Sequence, residues 1–137
     1  MKPKFLFLVF LLWMPFIHMA NAQSTDEILT EFFNRYQKSP NDGLDYGFST
    51  NTWIGETNQA GIANVKLQIK NAVSIIGDYY GYEKYAELMI GNSLKQVKYI
   101  VKYDRQPLRF IFVFYKSSDD WKLLNFNFDD KITEDFK

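Results

Sequence analysis

The sequence predicts an α+β domain in which N-terminal helices pack on one face of a four-stranded antiparallel sheet. Apolar residues recur at helical spacing through the first half of the chain. From about Tyr82 the period changes to short alternating or continuous apolar blocks. Brief polar turns separate those blocks, and helices followed by a meander of this kind define the α+β class.

The first helix is expected over about 25 to 37. Ser24-Thr25-Asp26-Glu27 fits a capping box, and Ile28, Leu29, Phe32, Phe33 and Tyr36 then form one apolar face. Pro40-Asn41-Asp42-Gly43 reads as a turn that ends this element. Leu44 to Phe48 reads as a short second helix, weakened by Gly47. Asn51-Thr52-Trp53-Ile54-Gly55 is expected to be a loop and to act as a lid, because an aromatic ring beside glycine and polar residues suits an exposed segment. A third helix carries Ile62, Val65, Ile69, Ala72, Val73 and Ile76 on one stripe, with Gly77 placed to stop it.

Four strands follow. The first spans about Tyr82 to Ile90, with Gly91-Asn92 as a hairpin corner. The second, 94 to 103, sets Val97, Tyr99, Val101 and Tyr103 against Gln96, Lys98 and Lys102. The third, Arg109 to Lys116, is apolar on both faces: Phe110, Phe112 and Phe114 on one, Ile111, Val113 and Tyr115 on the other. Counting by twos, the fourth places Leu124, Phe126 and Phe128 opposite Trp121, Leu123, Asn125 and Asn127. Ile111, Val113, Tyr115, Trp121 and Leu123 thus form a second apolar sheet face. Sheet curvature, the C-terminal tail or a second copy of the chain would have to cover it, the last giving a homodimer through the sheet.

Residues 1–22 read as a secretory signal peptide. Lys2 and Lys4 precede an apolar run from Phe5 to Met14, and Ala20-Asn21-Ala22 supplies the small residues of a cleavage site before Gln23. The run is interrupted by Pro15 and is too short to span a bilayer, and the absence of cysteine excludes a cysteine-linked lipid anchor. The expected product is a single exported domain, 23–137, periplasmic or secreted and soluble. Its processing would remove His18, the one histidine, leaving neither His nor Cys. Thiol nucleophiles, imidazole acid–base chemistry, Cys/His zinc sites and disulfides are then unavailable. With Lys2 and Lys4 gone, 14 basic residues face 16 acidic ones, a net charge of −2 with no basic stripe, which argues against nucleic acid as a partner. The 20 aromatic residues left are ample for a core in one domain of this length.

The ending QPLRFIFVFYKSSDDWKLLNFNFDD, a long strand, a polar turn and Trp121-Lys122-Leu123 opening the last strand, resembles the nuclear transport factor 2-like superfamily. The likeness is to its small secreted bacterial members with a cystatin-like α+β fold. It covers the last third of the chain strongly and the helices loosely. No β-hairpin is legible between the first and third helices, where fuller members carry one. The resemblance implies a curved, cone-like sheet whose mouth holds a small apolar or aromatic ligand. It also implies sheet-mediated pairing in many members and isomerase or dehydratase chemistry in some. Fold alone does not choose among these.

The aromatic residues at helix ends and loops, Tyr36, Tyr46, Trp53, Tyr79 and Tyr80, are the candidates for the rim of such a mouth. An isomerase-type alternative would use a carboxylate base, Asp45, Glu56 or Asp78, with a tyrosine at the oxyanion; none of these lies in a motif matching a family enzyme. Asp129-Asp130 is too small a ligand set for a hard cation and reads as a solvated strand end. No catalytic residue, cofactor or metal is assigned. The sequence favours an exported non-catalytic module that binds a small apolar ligand or an envelope protein. A structural or assembly protein acting through its sheet face is a further alternative.

Overall fold

The computed structural model describes residues 22–137; the leader, apart from Ala22, lies outside the described residues. Helices α1 (Thr25–Tyr36), α2 (Pro40–Ser49), α3 (Thr52–Thr57) and α4 (Gln59–Ile76) precede strands β1 (Tyr79–Ile90), β2 (Leu94–Tyr103), β3 (Leu108–Lys116) and β4 (Trp121–Asp129). The strands form one open antiparallel sheet in the order β1-β2-β3-β4. The α+β class is as the sequence predicts.

Helix α1 starts as its capping box requires, the Ser24 hydroxyl accepting from the Glu27 N–H at 3.1 Å. Its buried face carries Ile28, Leu29, Phe32, Phe33 and Tyr36 onto the sheet. Two loop expectations are overturned. Pro40 does not end an element but opens α2, because its fixed φ and missing N–H suit the first helical turn. Residues 51–55 form no lid loop either: Asn51 caps α3 by accepting from the Ile54 N–H, and the chain turns helical at Thr52. Gly77 ends α4 as expected, with φ at +92° and an Asp104 side chain against it that leaves no room for a Cβ. Arg105 completes that end, donating its N–H to the Ile76 carbonyl at 2.9 Å.

Strand β1 begins at Tyr79, three residues before the predicted start, because Tyr79 pairs with Tyr103. The inner face carries Val97, Tyr99, Val101 and Tyr103 of β2 and Phe110, Phe112 and Phe114 of β3. Phe32 meets Phe112 edge-on at 4.9 Å, and Phe126 packs 5.1 Å from both Phe110 and Phe112. Interlocked rings fill the space between α1 and the sheet.

Strand β4 corrects the predicted face assignment. Leu123 pairs with Phe114 and Asn125 with Val113, so Leu124 is a bulge residue with no partner of its own. One extra residue flips the count. Trp121, Leu123, Phe126 and Phe128 therefore share the inner face, with Leu123 1% exposed and Leu124 39%. Trp121 and Leu123 leave the proposed outer interface, and only Ile111, Val113 and Tyr115 remain on it.

Candidate functional site

The five aromatic residues expected at one rim do not come together. Tyr36 is buried, its hydroxyl 2.6 Å from that of Tyr103. Tyr79 packs against both rings, at 5.8 and 5.7 Å. Burial, together with the neighbouring phenols, pushes Tyr36 far above the ordinary phenol range and Tyr79 up to about 12. All three stay neutral at physiological pH and knit the end of the core. Tyr46 lies elsewhere, half-buried under the Arg35 guanidinium, which stands 4.7 Å over its ring. Tyr80 is exposed on β1.

Tyr46 borders a cleft lined by charged residues of α1, whereas Trp53 borders an uncharged one. It projects from α3 with 66% of its surface exposed, beside a cleft of about 540 Å³ between α3, α4 and β4. Ile54, Ile62, Val65, Leu124 and Phe126 provide the apolar lining, and the amides of Asn58, Asn64 and Asn125 rim it. The lining carries no formal charge. The position of α3 is fixed by the preceding corner: Thr50 Oγ1 accepts from the Leu123 N–H at 2.9 Å, and Asn51 Nδ2 donates to the Leu123 carbonyl at 3.2 Å. The bulge then turns Leu124 outward to meet Trp53's helix. Sequence reasoning found Trp53 but missed Leu124, because nothing in WKLLNFNF marks where the extra residue falls.

A second cleft, of about 480 Å³, lies between α2, α3 and α4 and holds two of the three candidate carboxylates, Asp45 and Glu56. Asp45 is ion-paired with Lys66 at 2.7 Å. No tyrosine lines it: Tyr46, next in sequence to Asp45, faces α1. The third carboxylate, Asp78, sits at the start of β1, its carbonyl accepting from the Asp104 N–H. The Asp45 carboxylate and the Tyr46 phenol are therefore on different faces of α2.

The outer sheet face is partly covered by the chain's own C-terminus. A short 3-10 helix, Ile132–Phe136, brings Asp135 to Arg109 at 3.0 Å, to Lys98 at 3.5 Å and to the Tyr85 hydroxyl. Arg109, only 8% exposed, also grips Asp129 through two bonds of 2.9 and 2.7 Å. Burial works against the Asp129 charge, but the Arg109 bonds outweigh it and hold the carboxyl below its usual range. Asp129 is thus the anchor of a tail clamp. Beyond the clamp, Ile111 and Val113 stay half-buried and Tyr115 exposed.

Among the described residues no cluster of three or more potential metal ligands occurs, and no helix is long and apolar enough to cross a membrane. Compared with family models, with curated proteins and with solved structures, the chain matches none.

Proposed function

We propose that the chain is an exported, non-catalytic binding module whose α3–α4–β4 cleft takes up an apolar group. The observation that carries this reading is Trp53, a large ring left two-thirds in water at the border of an uncharged, apolar cleft. Leaving such a ring exposed forgoes the stabilisation that its burial would give, about 25 cal/mol per Å² of apolar surface, and an occupant would recover it. The aromatic packing of the interior supports a surface site rather than the cone mouth that the family resemblance implies. The separation of Asp45 and Glu56 from the phenols favours binding over isomerase chemistry.

The test uses residues 23–137 with Trp121→Phe, which leaves Trp53 as the one tryptophan. Titration with an anionic naphthalene dye and with a medium-chain fatty acid should blue-shift Trp53 emission and saturate, and Ile62→Asp should abolish the response. Emission that stays at the fully hydrated maximum with both probes rejects the reading.

A further inference from the structure

The two edges of the sheet are treated differently. Strands β1 and β4 are its two ends, each with one long side unpaired. An exposed edge is a template for another chain, and proteins blunt it with charges and bulges. Strand β1 is blunted in this way: it has two register irregularities, and Glu83, Lys84 and Glu87 crowd it with ion pairs to Lys102, Asp26 and Lys95. Strand β4 is closed at Leu123, where the Thr50 and Asn51 side chains bond its N–H and C=O as a neighbouring strand would. Past the bulge that protection stops. The segment Asn125-Phe126-Asn127-Phe128 carries no charge.

The backbone there points its bonding groups outward. Leu123 directs both of its groups away from β3, so its pair with Phe114 is of the non-hydrogen-bonded kind. Pairs alternate along an antiparallel ladder, so Phe126 opposite Phe112 and Phe128 opposite Phe110 also direct their N–H and C=O to the free side. No backbone group outside the sheet bonds to residues 125–128 among the described residues. Phe126 lines the Trp53 cleft, and Phe128 lines a smaller one of about 330 Å³ beneath the end of α4. The flank of α4 that borders these two openings runs from Gly61 and Asn64 to Ala72 and Ile75, uncharged at each of these positions. Ile75 is 67% exposed there, a third large apolar residue left in water beside the same edge, with Trp53 and Leu124. At the far end Asp130 makes no ion pair among the described residues.

We infer that the free edge of β4 from Asn125 to Phe128 docks an extended segment of a partner protein, which adds a fifth strand antiparallel to β4 beside α4. Unpaired donors and acceptors in strand spacing specify an extended backbone. The flanking apolar residues specify apolar side chains at every second position, as a strand presents them. An antiparallel segment has its N-terminal end at Asp130, and the charge there specifies a basic residue at that end. This rests on the apolar-cleft reading above and names the class of its occupant.

The probe is the peptide acetyl-Lys-Val-Thr-Val-Thr-Val-amide, together with two versions N-methylated either at the three valines or at the two threonines. N–H groups alternate sides along a strand, so one methylated version loses the donors facing β4 and the other keeps them. The expected result is binding of the parent and of one methylated version, with the other weaker by at least about tenfold, the loss of two or more net hydrogen bonds. Amide exchange at Phe126 and Phe128 should slow on binding. Asp130→Lys should weaken the parent peptide about two- to fivefold at low salt and favour a Glu-headed version. Equal behaviour of the two methylated peptides, or no binding of the parent while the naphthalene dye still binds, overturns the inference and leaves the apolar-cleft reading standing. Failure of dye, fatty acid and peptide together removes both.

Discussion

Leu123 and Leu124 are chemically identical neighbours that the bulge assigns to opposite environments, and their truncation to alanine measures that assignment. Leu123 lies on the inner face, opposite Phe114, with 1% of its surface exposed. Its Cδ2 also lies where a methyl on Gly47 would fall only 3.2 Å away, so the site is tightly walled by α2. Removing three carbon groups forfeits about 2.4 kcal/mol of transfer energy at about 0.8 per group. The unfilled cavity adds to this, and comparable core truncations cost about 3–5 kcal/mol. We expect about 3 kcal/mol for Leu123→Ala, a fall in Tm of roughly 12 °C for a domain of this size. Leu124→Ala should cost about 0.5 kcal/mol or less, as surface changes do. Urea denaturation of residues 23–137, with unchanged slope, gives both numbers. In the Leu123→Ala background Gly47→Ala should become less unfavourable than in the wild type, since of the two side chains that crowd the methyl at 3.2 Å, Leu123 and Phe32, only Phe32 then remains. A larger loss at Leu124 than at Leu123 would restore strict alternation and refute the bulge.

The remaining predictions concern the ends of the sheet. Tyr36→Phe leaves the Tyr103 hydroxyl without its 2.6 Å partner and should cost about 1–2 kcal/mol in the same assay; no loss would mean the pair adds nothing. Because burial raises the phenols of Tyr36, Tyr79, Tyr99 and Tyr103, their stabilisation is complete below about pH 10 and declines as pH rises past it. Urea midpoints at pH 8 and 11 check the sign, and an unchanged midpoint contradicts it. At the C-terminus, Asp129 is held low despite its burial, chiefly by Arg109, and Asp135 is held low by Tyr85 and then Arg109. Carboxyls lowered on folding stabilise the docked tail above about pH 4 and lose that contribution as pH falls through their lowered values. Protection of the amides of residues 132–136, taken relative to intrinsic exchange at the same pH, should therefore fall in acid, and Arg109→Met should lower it at pH 7. Protection that is indifferent to both would detach the clamp from these charges.

Elements that rest on side-chain chemistry were legible in the residues. The Ser24 cap, the α1 face from Ile28 to Tyr36, the stop at Gly77 and the inner rows of β2 and β3 follow from rules that need no tertiary knowledge. The failures lie where a single residue has two uses. Pro40 suits a turn or a first helical turn, and the choice depends on α2 packing Leu44 and Phe48 inward. Asn51 suits a loop or a cap, and α3 is too short to show a helical period. The Leu124 bulge leaves no mark in composition, so period counting carried Trp121 and Leu123 to the wrong face. The site suffered most from this. Aromatic residues were grouped by chain position, but Tyr36 went into the core, Tyr46 under Arg35 and Tyr80 to the edge, leaving Trp53 beside residues that alternation had hidden.

Methyl chemical-shift mapping shows whether an occupant enters between α3, α4 and β4. Titration with the naphthalene dye should give saturable shifts at Ile54, Ile62, Val65 and Leu124, the methyl-bearing residues that line the cleft. Shifts confined to Val97, Val101 and Leu108 in the interior, or to Ile111 and Val113 on the outer face, would contradict it.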